Sequence, residues 1–132
     1  MQKEYPPYPF PARFTTSLAV MHVTIIPMDT DRLLVDQTLL IEDGRIVAMG
    51  PSSSFELEPG YVVVEGTGKY LMPGLADMHV HFSSPGDAVL FLAHRVTMVR
   101  NMAGTPFHLA FQHHVQQHSL PGPFMVTTSP LL

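Results

Sequence analysis

The chain has 132 residues, 45% hydrophobic and 14% charged, which suits a globular protein of one or two small domains and excludes an extended disordered chain. A formal net charge of −4 gives no footprint for nucleic acid or for an anionic membrane surface. With no cysteine there is no disulfide framework and no thiolate, so any metal must rest on nitrogen and oxygen donors.

Residues 1–16 carry Pro6, Pro7, Pro9 and Pro11 among Tyr and Phe and read as an extended arm. The prolines stand where a signal peptide would need an apolar core, and no later run reaches membrane-spanning length. The expectation is a soluble, untargeted, cytoplasmic chain with no membrane partner. A β-rich portion is expected over residues 17–72. Leu18 to Ile26 is apolar on both faces and rich in Val, Ile and Thr, as in a buried strand. Gln37 to Glu42 and Arg45 to Gly50 flank Asp43-Gly44, a two-residue hairpin signal in which both turn residues need positive φ. Polar residues 51–60 read as a loop, Tyr61 to Glu65 as a strand, and Gly66-Thr67-Gly68 as a turn.

The texture changes at Pro73-Gly74, and residues 73–132 read as alternating strands and helices. Leu75 to Phe82 is a strand. Ser84-Pro85-Gly86-Asp87 starts a helix reaching about His94, with Ser as N-cap, Pro at the first helical position and Asp three residues after the cap. Val96 to Met102 is the next strand. Thr105-Pro106 starts a helix predicted to reach about His118, Pro121-Gly122-Pro123 stops it, and Phe124 to Thr128 is a third strand. This order is that of a parallel sheet built from βαβ units. A (β/α)₈ barrel typically takes about 250 residues, so Leu75 to Leu132 accommodates three of its eight strands.

Within the first of these strands, His79 and His81 stand at i and i+2, so their imidazoles can be directed at one ion while Val80 faces the opposite layer. At the C-terminal end of a barrel strand the pair would sit at the mouth of the pocket. A His-x-His pair alone is weak evidence for a metal, since catalytic ions take further donors. Such donors are hard to find, because after Asp87 the sequence contains no Asp, Glu or Lys, whereas five of the eight histidines lie there.

The segment Pro73-Gly74-Leu75-Ala76-Asp77-Met78-His79-Val80-His81, the lead-in from Glu65 to Met72, the hairpin Ile41 to Gly50 and Val96 to Met102 together resemble the N-terminal part of the amidohydrolase superfamily of metal-dependent hydrolases, most of all its imidazolonepropionase-like branch. The resemblance covers about Leu18 to Leu132. It implies an α/β fold: a small β-sandwich portion followed by the first three strands of an incomplete TIM-like (β/α)₈ barrel. It further implies a divalent metal, expected to be zinc, held by His79 and His81, with Asp77 as a support beside them. The expected reaction is attack of metal-activated water on a non-peptide C–N bond of a small-molecule substrate, an amide or cyclic amide. The metal would lower the pKa of bound water from about 15.7 towards about 7 and polarise the carbonyl.

The further ligands and general base that the resemblance implies, a carboxylated lysine or glutamate, two more histidines and an aspartate, have no match among residues 88–132. His114 and His118 are spaced i, i+4 on the predicted second helix and could chelate an ion, but the neighbouring Gln112, His113, Gln116 and Gln117 mark a solvated face. His94 and His108 read as packing or surface residues. Arg100 and Asn101 end the second predicted strand, where they either reach the pocket rim or make strand-end hydrogen bonds. Arg95 replaces the glycine usual in the resembling family after the first helix, at a cost on the order of 1 kcal/mol if φ is positive there; Met98 replaces a frequent threonine. Two functions follow as expectations: part of an amidohydrolase, weakly active or inactive alone, or a non-catalytic binding or assembly module that self-associates through open sheet edges.

Overall fold

The computed structural model describes residues 16–130 and separates into two compact units, one ending at Pro73 and the other running on from Gly74. The arm expected over residues 1–16 lies, apart from Thr16, outside the described residues.

The first unit holds β1 (Leu18–Ile25), β2 (Leu34–Glu42), β3 (Arg45–Pro51), β4 (Val62–Glu65) and β5 (Tyr70–Leu71). They form one sheet in the order β3-β2-β1-β4, with β5 also on β1; the hairpin pairs are antiparallel, whereas β4 and β5 run parallel to β1. Of the expected sandwich, the described residues thus form one five-stranded layer. The hairpin turns on Asp43 and Gly44 at φ 48° and 73°, the two positive values a type I′ turn requires. Its core is Val23, Ile25 and Leu39, with Val20, Leu34 and Leu71 against them. The stretch read as loop contains a 3₁₀ turn, Ser52–Ser54, in which Ser52 is buried and accepts a hydrogen bond from the Thr38 hydroxyl at 2.9 Å. The β1–β2 ladder slips around His22 and Asp36, both at positive φ, and their side chains pair at 2.8 Å. The hydrogen bond from His22 holds the Asp36 carboxyl below its usual range, with Ser52 adding to the effect.

The second unit runs β6 (Leu75–Val80), α1 (Pro85–Ala93), β7 (Val96–Asn101), α2 (Pro106–Gln116) and β8 (Phe124–Thr127), with the three strands parallel in the order β6-β7-β8. Both helices start as their sequence signals require. At α1, Ser84 is extended, Pro85 follows, and the Asp87 carboxylate accepts the Ser83 and Ser84 N–H groups at 2.8 and 3.0 Å. The Ser83 N–H is the main cause of an Asp87 pKa held below its usual value. At the far end Arg95 has φ 66°, the left-handed conformation that usually selects glycine. The second helix is shorter than predicted: it ends at Gln116, and His118 lies beyond the cap at φ 55°. Val80 and Phe82 of the first strand segment, Ala88 of α1, Val99 of β7, Phe111 of α2 and Met125 of β8 form the buried core, so the helices cover one face of the sheet.

Candidate metal centre

Strand alternation divides the end of β6 as the sequence requires. Val80 and Phe82 point into the core beneath the helices, while His79 and His81 are exposed, their ring centres 5.5 Å apart and their planes at 65°. Two imidazoles sharing a tetrahedral ion through nitrogens at about 2.0–2.1 Å have ring centres about 5 Å apart, so the pair fits half of a coordination shell with a small side-chain adjustment. Among the described residues no group of three His, Asp or Glu side chains gathers around an ion position.

Asp77 is not a third member of this row. Asp77 pairs with Val99 and Val80 with Asn101, three steps on β6 against two on β7, so a bulge at Met78–His79 breaks the alternation between Asp77 and the histidines. Asp77 instead accepts the backbone N–H of His79 on Oδ1 at 3.1 Å, a grip on the main chain of the first histidine. A bulge also frees ladder groups. The carbonyl of Met78 receives a hydrogen bond from Arg100 Nε at 2.8 Å, so Arg100 makes a strand-end hydrogen bond.

Beyond Val80 the ladder gives way to side chains. The Phe82 N–H donates to Asn101 Oδ1 at 2.8 Å, and Asn101 Nδ2 donates to Thr127 Oγ1 at 3.1 Å, tying the ends of all three strands together. The Phe82 carbonyl accepts from His108 Nε2 at 2.8 Å, while His108 Nδ1 accepts the Thr105 N–H at 2.9 Å. A carbonyl only accepts and a backbone N–H only donates, so these partners assign the proton of His108 to Nε2. Asn101 is 0% and His108 6% exposed. Leaving either Phe82 group unpaired would cost about 1–3 kcal/mol. His108 sits three residues after the Thr105 cap, a position normally given to Glu or Gln; that is the one sequence sign of its role.

The tail histidines do not join this site. With α2 ending at Gln116, His114 and His118 lose the i, i+4 relation expected of them, and His114 Nδ1 instead meets Ser119 Oγ at 3.0 Å. No described helix is long and apolar enough to cross a membrane.

No profile of a known protein family matches the chain. It is 44% identical over 48 residues to a dihydroorotase of Ligilactobacillus salivarius, covering 36% of this chain and 11% of that protein. It is 32% identical over 72 residues to an adenine deaminase of Ruegeria pomeroyi, covering 54% and 12%. The fold is similar to that of a solved protein from Bifidobacterium longum assigned as a prolidase, at a TM-score of 0.80 and 27% identity over 89% of this chain and 31% of that one. It is also similar to a molinate hydrolase at a TM-score of 0.77 and 19% identity, covering 89% and 31%. The chain thus spans about a tenth of the length of these curated relatives and about a third of the solved chains.

Proposed function

Since the chain belongs to the amidohydrolase superfamily, we propose that it supplies the first two metal ligands, His79 and His81, of a hydrolase acting on a non-peptide C–N bond of a small molecule. The observation that carries this reading is the proximity of the two exposed rings, their centres 5.5 Å apart, at the C-terminal end of β6. A divalent ion bound there, with zinc the expected one, would activate water and polarise the substrate carbonyl. What the chain's own residues do is hold the pair. Asp77 fixes the His79 N–H, Arg100 the Met78 carbonyl, Asn101 the Phe82 N–H and His108 the Phe82 carbonyl.

Hydrolysis needs further ligands and a general base, and the sequence after Asp87 has no Asp, Glu or Lys to provide them. The proposal therefore assigns weak turnover or none to the 132 residues alone, and full activity to a barrel completed by donors from outside them. Zinc titration of wild type against His79→Ala and His81→Ala tests the ligand assignment: the two variants should lose the tightest binding, and identical isotherms for all three proteins would refute it. Robust hydrolysis of amides or cyclic amides by the purified chain with added zinc would refute the claim of incompleteness.

A second reading, a non-catalytic assembly module, is favoured by one observation. Among the described residues β4 ends the sheet and exposes Val62, Val63 and Val64 at 52%, 50% and 40%, an edge of the kind that recruits another strand. Light scattering on the purified chain checks it, a uniform oligomer supporting the module and a monomer counting against it.

A further inference from the structure

Phe82 follows His81 directly, yet neither of its main-chain polar groups is held by the sheet ladder; Asn101 from β7 takes the N–H and His108 from α2 takes the carbonyl. Both side chains are buried, and each is itself fixed by a second partner, Thr127 Oγ1 for Asn101 and the Thr105 N–H for His108. An apolar residue in either place would leave a Phe82 main-chain group without its partner, so the polar groups are explained by what they hold. Asn101 holds the His81–Phe82 peptide and His108 the next one, Phe82–Ser83, so together they fix the main chain that leaves His81.

We propose that Asn101 and His108 are positioning residues for the His79–His81 pair, acting through the two peptides that flank Phe82 and coupling the start of α2 and the end of β8 to the geometry of the metal half-site. This rests on the ligand assignment above and extends it to two residues that no donor pattern singles out. His79 is steadied from its own strand by Asp77, whereas His81 depends on neighbouring elements for its orientation. Loss of either clamp should thus disturb His81 more than His79. Outer partners that orient metal-binding histidines commonly change affinity by about 10- to 100-fold when removed.

The test compares wild type with Asn101→Leu, which removes the acceptor at similar volume, His108→Glu, which keeps an acceptor for the Thr105 cap but has no donor for the Phe82 carbonyl, and Asn101→Asp, which restores an acceptor for the Phe82 N–H. Three readouts are taken on the full chain: zinc affinity by calorimetry, hydrogen exchange of the Phe82 amide relative to that of Val99, and the His79 and His81 ring resonances of the metal-free protein. Expected are a fall in zinc affinity of about 10- to 100-fold in the first two variants, faster Phe82 exchange in Asn101→Leu, larger shifts at His81 than at His79, and recovery in Asn101→Asp. Folded variants with wild-type zinc affinity and unchanged Phe82 and His81 signals would overturn the proposal. If His79→Ala and His81→Ala leave zinc binding unaltered, the ligand assignment fails instead; the Phe82 and His81 signals, which need no metal, then decide the positioning claim by themselves.

Discussion

Replacing Arg95 by glycine should stabilise the chain, although it deletes a whole side chain. Arg95 ends α1 at φ 66°, its N–H bonded to the Leu92 carbonyl at 3.0 Å and its carbonyl accepting the Leu75 N–H at 2.9 Å, so the backbone is held left-handed from both sides. A residue with a Cβ pays about 1–2 kcal/mol in that conformation. Glycine removes this strain but widens the unfolded ensemble, a loss of about 0.4–1 kcal/mol. The net expectation for Arg95→Gly is a gain of about 0.5–1 kcal/mol, or a rise in urea midpoint of roughly 0.5 M at an unchanged slope. The side chain is exposed, so little packing is lost with it. Arg95→Ala is the control, because it removes the guanidinium and keeps the Cβ; it should leave the midpoint within about 0.3 M of wild type. An unchanged or lower midpoint for Arg95→Gly, or an equal gain in Arg95→Ala, would refute the backbone argument.

Asp87→Ala removes the carboxylate that receives both N–H groups before α1 and should cost about 1 kcal/mol in chemical denaturation. Acid should destabilise the chain through the same residue together with Asp36 and Glu65: hydrogen bonds from the Ser83 N–H, His22 and the Thr67 hydroxyl respectively hold the three carboxyls below their ordinary pKa, so their stabilisation is fully present above the ordinary values and is lost as pH falls through the lower folded ones. Melting temperatures from pH 7 down to pH 2 check this, and Asp87→Asn should flatten part of the decline. Gly104→Ala would drive a Cβ into the Thr128 carbonyl and the Thr127 hydroxyl where the β7–α2 loop crosses the end of β8, and a loss of about 1–3 kcal/mol is expected from thermal melts.

Local chemistry made much of this fold legible. Asp43-Gly44 demanded its hairpin because few other pairs tolerate positive φ twice, and Ser84-Pro85 with Asp87 marked the start of α1 because those groups satisfy a helix N-terminus by themselves. The left-handed φ at Arg95 was foreseeable from the residue type that the family resemblance led one to expect there. The end of α2 was not: a polar, amphipathic run continues through His118, and nothing local stops the helix at Gln116 before the chain must turn towards β8. Ser52 looked like loop because its burial depends on Thr38, fourteen residues earlier.

The candidate site divides in the same way. Strand alternation in the sequence alone put His79 and His81 on one side with Val80 on the other, since a period of two needs no knowledge of neighbours. The bulge at Met78–His79, the grip of Asp77 on the main chain, and the clamp of Asn101 and His108 on Phe82 belong to the tertiary structure. Each joins residues on elements brought together only by packing, and hydrogen bonds across 19 and 26 residues leave no periodic trace in the chain. The sequence determined that His79 and His81 share a face; the packing of β7, β8 and α2 against β6 decided how the main chain around them is held.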